Sequence, residues 1–169
     1  MRIARLLPLL ALAVATAAAA HDMKMPAMEP NPCFDQIKTL AGDWQSKTSE
    51  GKAVKASYQV VSSGAAVIEK LDTGDGDNMI TVYRVENGTL VMDHYCSMNN
   101  VPHMRASKAS STKKIDFAMT SASNMKHASD IHMHNLTMEF DGTDHFSQTW
   151  SLHENGKVQP VIFDFTRAR

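Results

Sequence analysis

From Gly42 onward, apolar and polar residues alternate in short runs, and a period of two is that of β-strands, whose successive side chains point to opposite faces. Val54, Ala56, Tyr58 and Val60 form one apolar row with Lys55, Ser57 and Gln59 between them; Ile115, Phe117 and Met119 form another, as do Val161, Phe163 and Phe165. The pattern predicts strands near 43–48, 53–61, 65–72, 78–85, 89–98, 103–109, 113–119, 130–140, 144–153 and 157–166. Between them stand SEGK, SSG, TGDGDN, ENGT, DGTD and ENGK, whose residues tolerate the positive φ of tight hairpin turns. Short links favour antiparallel neighbours, and about ten strands in one small chain favour a meander that closes on itself to remove its edges. The predicted fold is therefore all-β, an up-and-down antiparallel barrel filling residues 33–169.

Two other segments break the alternation. Phe34, Ile37 and Leu40 in CFDQIKTLAG have helical spacing, with Gly42 placed to end a short helix over 33–41 that closes one end of the barrel. HDMKMPAMEPNP, residues 21–32, holds three prolines and no apolar period, and reads as an extended arm. Residues 1–20 combine Arg2 and Arg5, an apolar run and a closing Ala-rich stretch, the pattern of a secretory leader cut after Ala20. The expected product is an exported, periplasmic or extracellular protein of roughly 150 residues, enough for one domain with a core.

The 17 basic and 18 acidic residues nearly balance, and no basic run stands out, which argues against a nucleic-acid binder. No later segment approaches the roughly 20 apolar residues of a membrane-spanning helix. In an exported chain Cys33 and Cys96 either form a bridge tying the helix to the barrel or remain two free thiols. No hydrolase nucleophile motif, phosphate-cradling glycine loop or dinucleotide fingerprint is present, and TGDGD reads as a hairpin turn rather than a calcium loop. Nothing in the motifs points to an enzyme.

Histidines carry most of the candidate chemistry. Alternation in TLVMDHYCSM places His94 with Leu90, Met92 and Cys96, facing the interior. In DIHMHNLTMEF it places His132 and His134 with Leu136, Met138 and Phe140, also inward, whereas His145 and His153 fall opposite Phe146, Trp150 and Leu152 and face solvent. Neutral imidazole is the commonest protein metal ligand, so an interior with three of them suits a polar ligand, a metal ion or a haem. Glu69 and Arg105 are either inward polar anchors or solvated residues. Trp44, Tyr58 and Trp150 line a ligand cavity or simply fill a core. A different metal site is offered by the arm: after cleavage at Ala20, the amine and imidazole of His21 suit Cu(II), and the thioethers of Met23, Met25 and Met28 suit Cu(I).

LAGDW, Leu40 to Trp44, following a short helix and opening a β-meander, resembles the Gly-x-Trp start of lipocalin-like, or calycin-like, barrels. LAGDWQSK, MITVYR, DHYCSMNNVPHMRA, HMHNLTMEF, DHFSQTW and FDFTR together resemble an exported bacterial lipocalin-like family, related in architecture to nitrobindin-type haem-binding barrels. The resemblance implies an antiparallel barrel with an internal cavity and no catalytic residue. Nitrobindin-type barrels hold haem through a histidine close to the C-terminus, and KVQPVIFDFTRAR has none. The expected function is to hold a small apolar or amphipathic ligand, with metal handling or haem binding on the same scaffold as alternatives.

Overall fold

The computed structural model describes residues 29–76 and 78–169. The leader and the arm residues His21, Met23, Met25 and Met28 lie outside the described residues. A short helix α1 (Pro32–Lys38) precedes ten strands: β1 (Gly42–Lys47), β2 (Ala53–Val61), β3 (Ala66–Asp72), β4 (Asn78–Glu86), β5 (Thr89–Tyr95), β6 (Val101–Ala106), β7 (Lys114–Ser123), β8 (His132–Phe140), β9 (His145–Glu154) and β10 (Lys157–Arg167). Each strand pairs antiparallel with the next, and β1 pairs with β10 to close the barrel. The all-β meander legible in the alternation is the fold observed.

Turn chemistry sets the hairpins. Asn87 and Gly88 have φ of 48° and 72°, and Asn155 and Gly156 have 50° and 73°. Two successive positive φ values match the right-handed twist of the flanking strands, which is why Asn-Gly stands at both positions. Inward rows from every strand merge into one core that includes Val54, Val67, Tyr83, Met92, Phe117, Leu136, Phe146 and Phe165. The outer face carries residues such as Lys55, Gln59 and Lys70, a polarity opposite to that of lipid-embedded barrels. No helix among the described residues is long and apolar enough to cross a membrane.

Helix α1 is held at both ends. Asn31 caps it by accepting the Phe34 N–H at 2.9 Å, and Phe34 and Ile37 enter the core. Trp44 Nε1–H donates to Leu40 O at 2.7 Å, tying the segment after the helix to β1. Arg167 at the end of β10 lies over the Trp44 ring at 4.2 Å and donates to the carbonyls of Thr39, Ala41 and Thr143 and to Asp144. One guanidinium thereby fastens helix, first strand and last strand.

Candidate functional site

A belt of polar side chains crosses the barrel interior. Tyr58 pairs with Glu69, Glu69 with Thr81 and Thr81 with His94, so one register row carries four inward polar groups across β2, β3, β4 and β5. Cross-strand partners share a face, so the alternation that buries the core also gathers this row. Gln148 on β9 reaches it from elsewhere on the wall, donating from Nε2 to Tyr58 Oη and to Glu69 Oε1, both at 2.8 Å. Tyr83 Oη–H donates to Glu69 Oε2 at 2.6 Å, and Trp150 Nε1–H donates to Gln148 Oε1 at 3.1 Å. Glu69, Gln148 and Tyr83 are wholly buried.

The network satisfies the carboxyl of Glu69 but not the imidazole of His94. Burial pushes Glu69 above its ordinary carboxyl value, against the lowering effect of the bonds from Tyr83 and Gln148. His94 Nδ1 lies 2.9 Å from Thr81 Oγ1, and its ring rests against Trp150 at 4.5 Å between centroids. Its Nε2 is buried without a hydrogen-bond partner. Desolvation lowers the His94 pKa to about 4, so the ring is neutral at physiological pH. A neutral imidazole keeps one donor and one acceptor nitrogen, and here one of the two is uncommitted whichever tautomer forms.

The residues singled out from sequence divide accordingly. His94, Glu69 and Tyr58 face inward in the belt, Trp150 contacts it through Gln148 and His94, and Trp44 is buried against Phe146 at 4.7 Å. Arg105 is exposed: Met104 takes the inward position of β6, so Arg105 points out and is not an interior anchor. Cys33 and Cys96 are free thiols, each with a pKa raised by burial. The missed members are Tyr83, Thr81 and Gln148. Thr81 and Gln148 are buried on the inner face of their strands, but a small hydroxyl and an amide give no signal of chemistry by themselves.

His132 and His134 require a correction. Met133 pairs with Leu152 and Asn135 pairs with Ser151, which leaves His134 as the extra residue of a β-bulge. The bulge shifts the alternation by one position. Before it, Met133 joins the core and His132 pairs with His153 on the outer face; after it, Leu136 and Met138 resume the inward row. His132, only 3% exposed, and the partly exposed His134 and His153 therefore meet where β8 joins β9, off the face that carries His94.

His103 and His145 each contact a carboxylate near the surface. His103 Nδ1 contacts Asp93 Oδ1 at 2.6 Å, and Asp93 also accepts from Arg84 at 2.6 Å. His145 Nε2–H donates to Asp164 Oδ1 at 2.6 Å. Grooves of about 350 and 640 Å³ run along β1 and β2, with Gln45 and Lys55 lining both, and neither includes a belt residue.

No protein-family model matches the chain. No curated protein matches it either. Among solved structures it is similar to Rv2717c from M. tuberculosis, with a TM-score of 0.52 and 13% identity over 82% of this chain and 98% of that one. At that identity the likeness is one of fold, a closed antiparallel barrel.

Proposed function

We propose that the protein is an exported carrier or sensor that takes a small amphipathic molecule into its barrel, with a polar group of that molecule bonding to His94 Nε2. The observation that carries this reading is the buried, unpartnered nitrogen itself. An unpaired buried polar atom costs roughly 1–3 kcal/mol, and a bonding partner restores that amount. The belt gives the ligand's polar end a place to be oriented, and Trp150 and the surrounding apolar side chains receive the rest.

Entry requires side chains to move, since the belt residues are at most 3% exposed. Met92, Met104 and Met138 are buried in the same core, and Tyr83 Oη lies 4.0 Å from Met138 Sδ. Unbranched thioethers repack at low cost, which suits an interior that must adapt to a guest. Export after Ala20 belongs to the same reading and rests on the leader pattern.

Native mass spectrometry of protein purified from its own host tests both parts. The expected result is a chain beginning at His21 with a retained small mass that His94→Phe loses. Recovery of bare wild-type chain, with no small molecule from a host extract raising its melting temperature, overturns the carrier reading.

A further inference from the structure

We propose that His132, His134 and His153 form a binding site for one divalent transition ion, Zn(II) or Cu(II), on the outer wall where β8 meets β9. Their candidate ligand nitrogens all lie within 4.8 Å of one another. Bonds of 2.0–2.1 Å place two nitrogens of a tetrahedral site about 3.3 Å apart, and His132 Nε2 and His134 Nδ1 already stand at 3.1 Å. His153 closes the remaining distance by tilting. Its ring is stacked on His134 at 4.2 Å and 17°, so their in-plane lone pairs run nearly parallel and must converge. Both rings are partly exposed and have room to turn.

His132 is the fixed member. Its Nδ1 lies 2.6 Å from Asp130 O, and a carbonyl only accepts, so Nδ1 carries the proton and Nε2 presents its lone pair to the other two rings. The carbonyl is itself held in place. Asp130 Oδ2 accepts the N–H groups of Lys126 and His127 at 2.8 and 3.0 Å, and Asn100 Nδ2–H donates to Ile131 O at 2.7 Å. A histidine whose second nitrogen donates to a fixed carbonyl is the usual arrangement behind a metal-bound imidazole. The bulge at His134 supplies the other half of the geometry, because without it His134 would follow the strand's alternation away from His153.

Imidazole donors suit Zn(II), Cu(II) and Ni(II), with Cu(II) the tightest on general grounds. Three protein ligands leave one position for water or a further ligand. The site is independent of the carrier function, since it lies on the opposite face from His94.

Calorimetric titration with Zn(II), and the visible spectrum with Co(II) as its stand-in, test the site in the purified protein. One equivalent of Zn(II) should bind at micromolar Kd or tighter, with Co(II) giving the intense visible bands of a four-coordinate centre. His134→Ala and His153→Ala should each weaken Zn(II) at least tenfold, and His134→Gln should do the same without opening space. His21→Ala, which removes the arm's imidazole, should leave this equivalent intact. A wild-type Kd weaker than roughly 100 μM, or unchanged binding in the folded His134→Ala/His153→Ala double variant, overturns the proposal.

Discussion

Replacing His94 by Phe isolates the price of keeping a neutral imidazole inside the barrel. In the unfolded chain the ring takes up a proton near its ordinary 6.5, whereas in the fold desolvation holds it to about 4. Between those values the unfolded state binds more protons, so stability is full above pH 6.5 and falls as the pH drops towards 4. Linkage over that interval amounts to about 2 kcal/mol at pH 5 and about 3 kcal/mol at pH 4. Phe retains a flat ring to pack on Trp150, 4.5 Å away, and removes the titration. It also leaves the Thr81 hydroxyl without His94, a pH-independent cost of about 1 kcal/mol. Urea unfolding of both proteins between pH 7 and pH 4.5 should show the wild type losing about 2 kcal/mol relative to the variant. Parallel pH profiles for the two proteins, or a His94 ring resonance that titrates near 6.5, would refute the reasoning.

Glu69→Gln should change the opposite limb of the pH profile. A carboxyl raised by burial holds its proton to higher pH in the fold than in the unfolded chain, so wild-type stability is full below the ordinary 4.5 and declines as pH rises through the raised value. The variant should lack that decline, whose slope is at most about 1.4 kcal/mol per pH unit, in denaturant melts from pH 5 to pH 8. Arg167→Ala should destabilise the protein by about 1–3 kcal/mol by releasing the carbonyls of Thr39, Ala41 and Thr143, and Arg167→Lys should recover only part because it lacks the planar fork. Thiol titration should count two free cysteines after denaturation; in the folded protein half-buried Cys33 should react before buried Cys96, and a count of zero would show a bridge.

Local sequence determined the strands because each needs only a period of two and a turn at its end. The predicted 53–61 coincides with Ala53–Val61, and Asn87-Gly88 and Asn155-Gly156 mark their hairpins unaided. It also placed His94 correctly, since no irregularity interrupts the alternation through Leu90 and Met92. Alternation alone puts His132 and His134 in one row with Leu136, and although His132 is buried, the bulge breaks that row, because a bulge is set by pairing: one extra residue in β8 becomes visible only against the register of β9. The same limit applies to the belt. Tyr58, Glu69, Thr81 and His94 are scattered along nearly forty residues, and what makes them one row is the stagger of four neighbouring strands, with Gln148 brought in by barrel closure. The sequence by itself determined strand number, turn positions and most inward faces, all of which follow from local backbone preference and hydrophobic period. Only the tertiary structure decided which polar groups meet, because contact between distant residues depends on register and closure, and those are properties of the whole sheet.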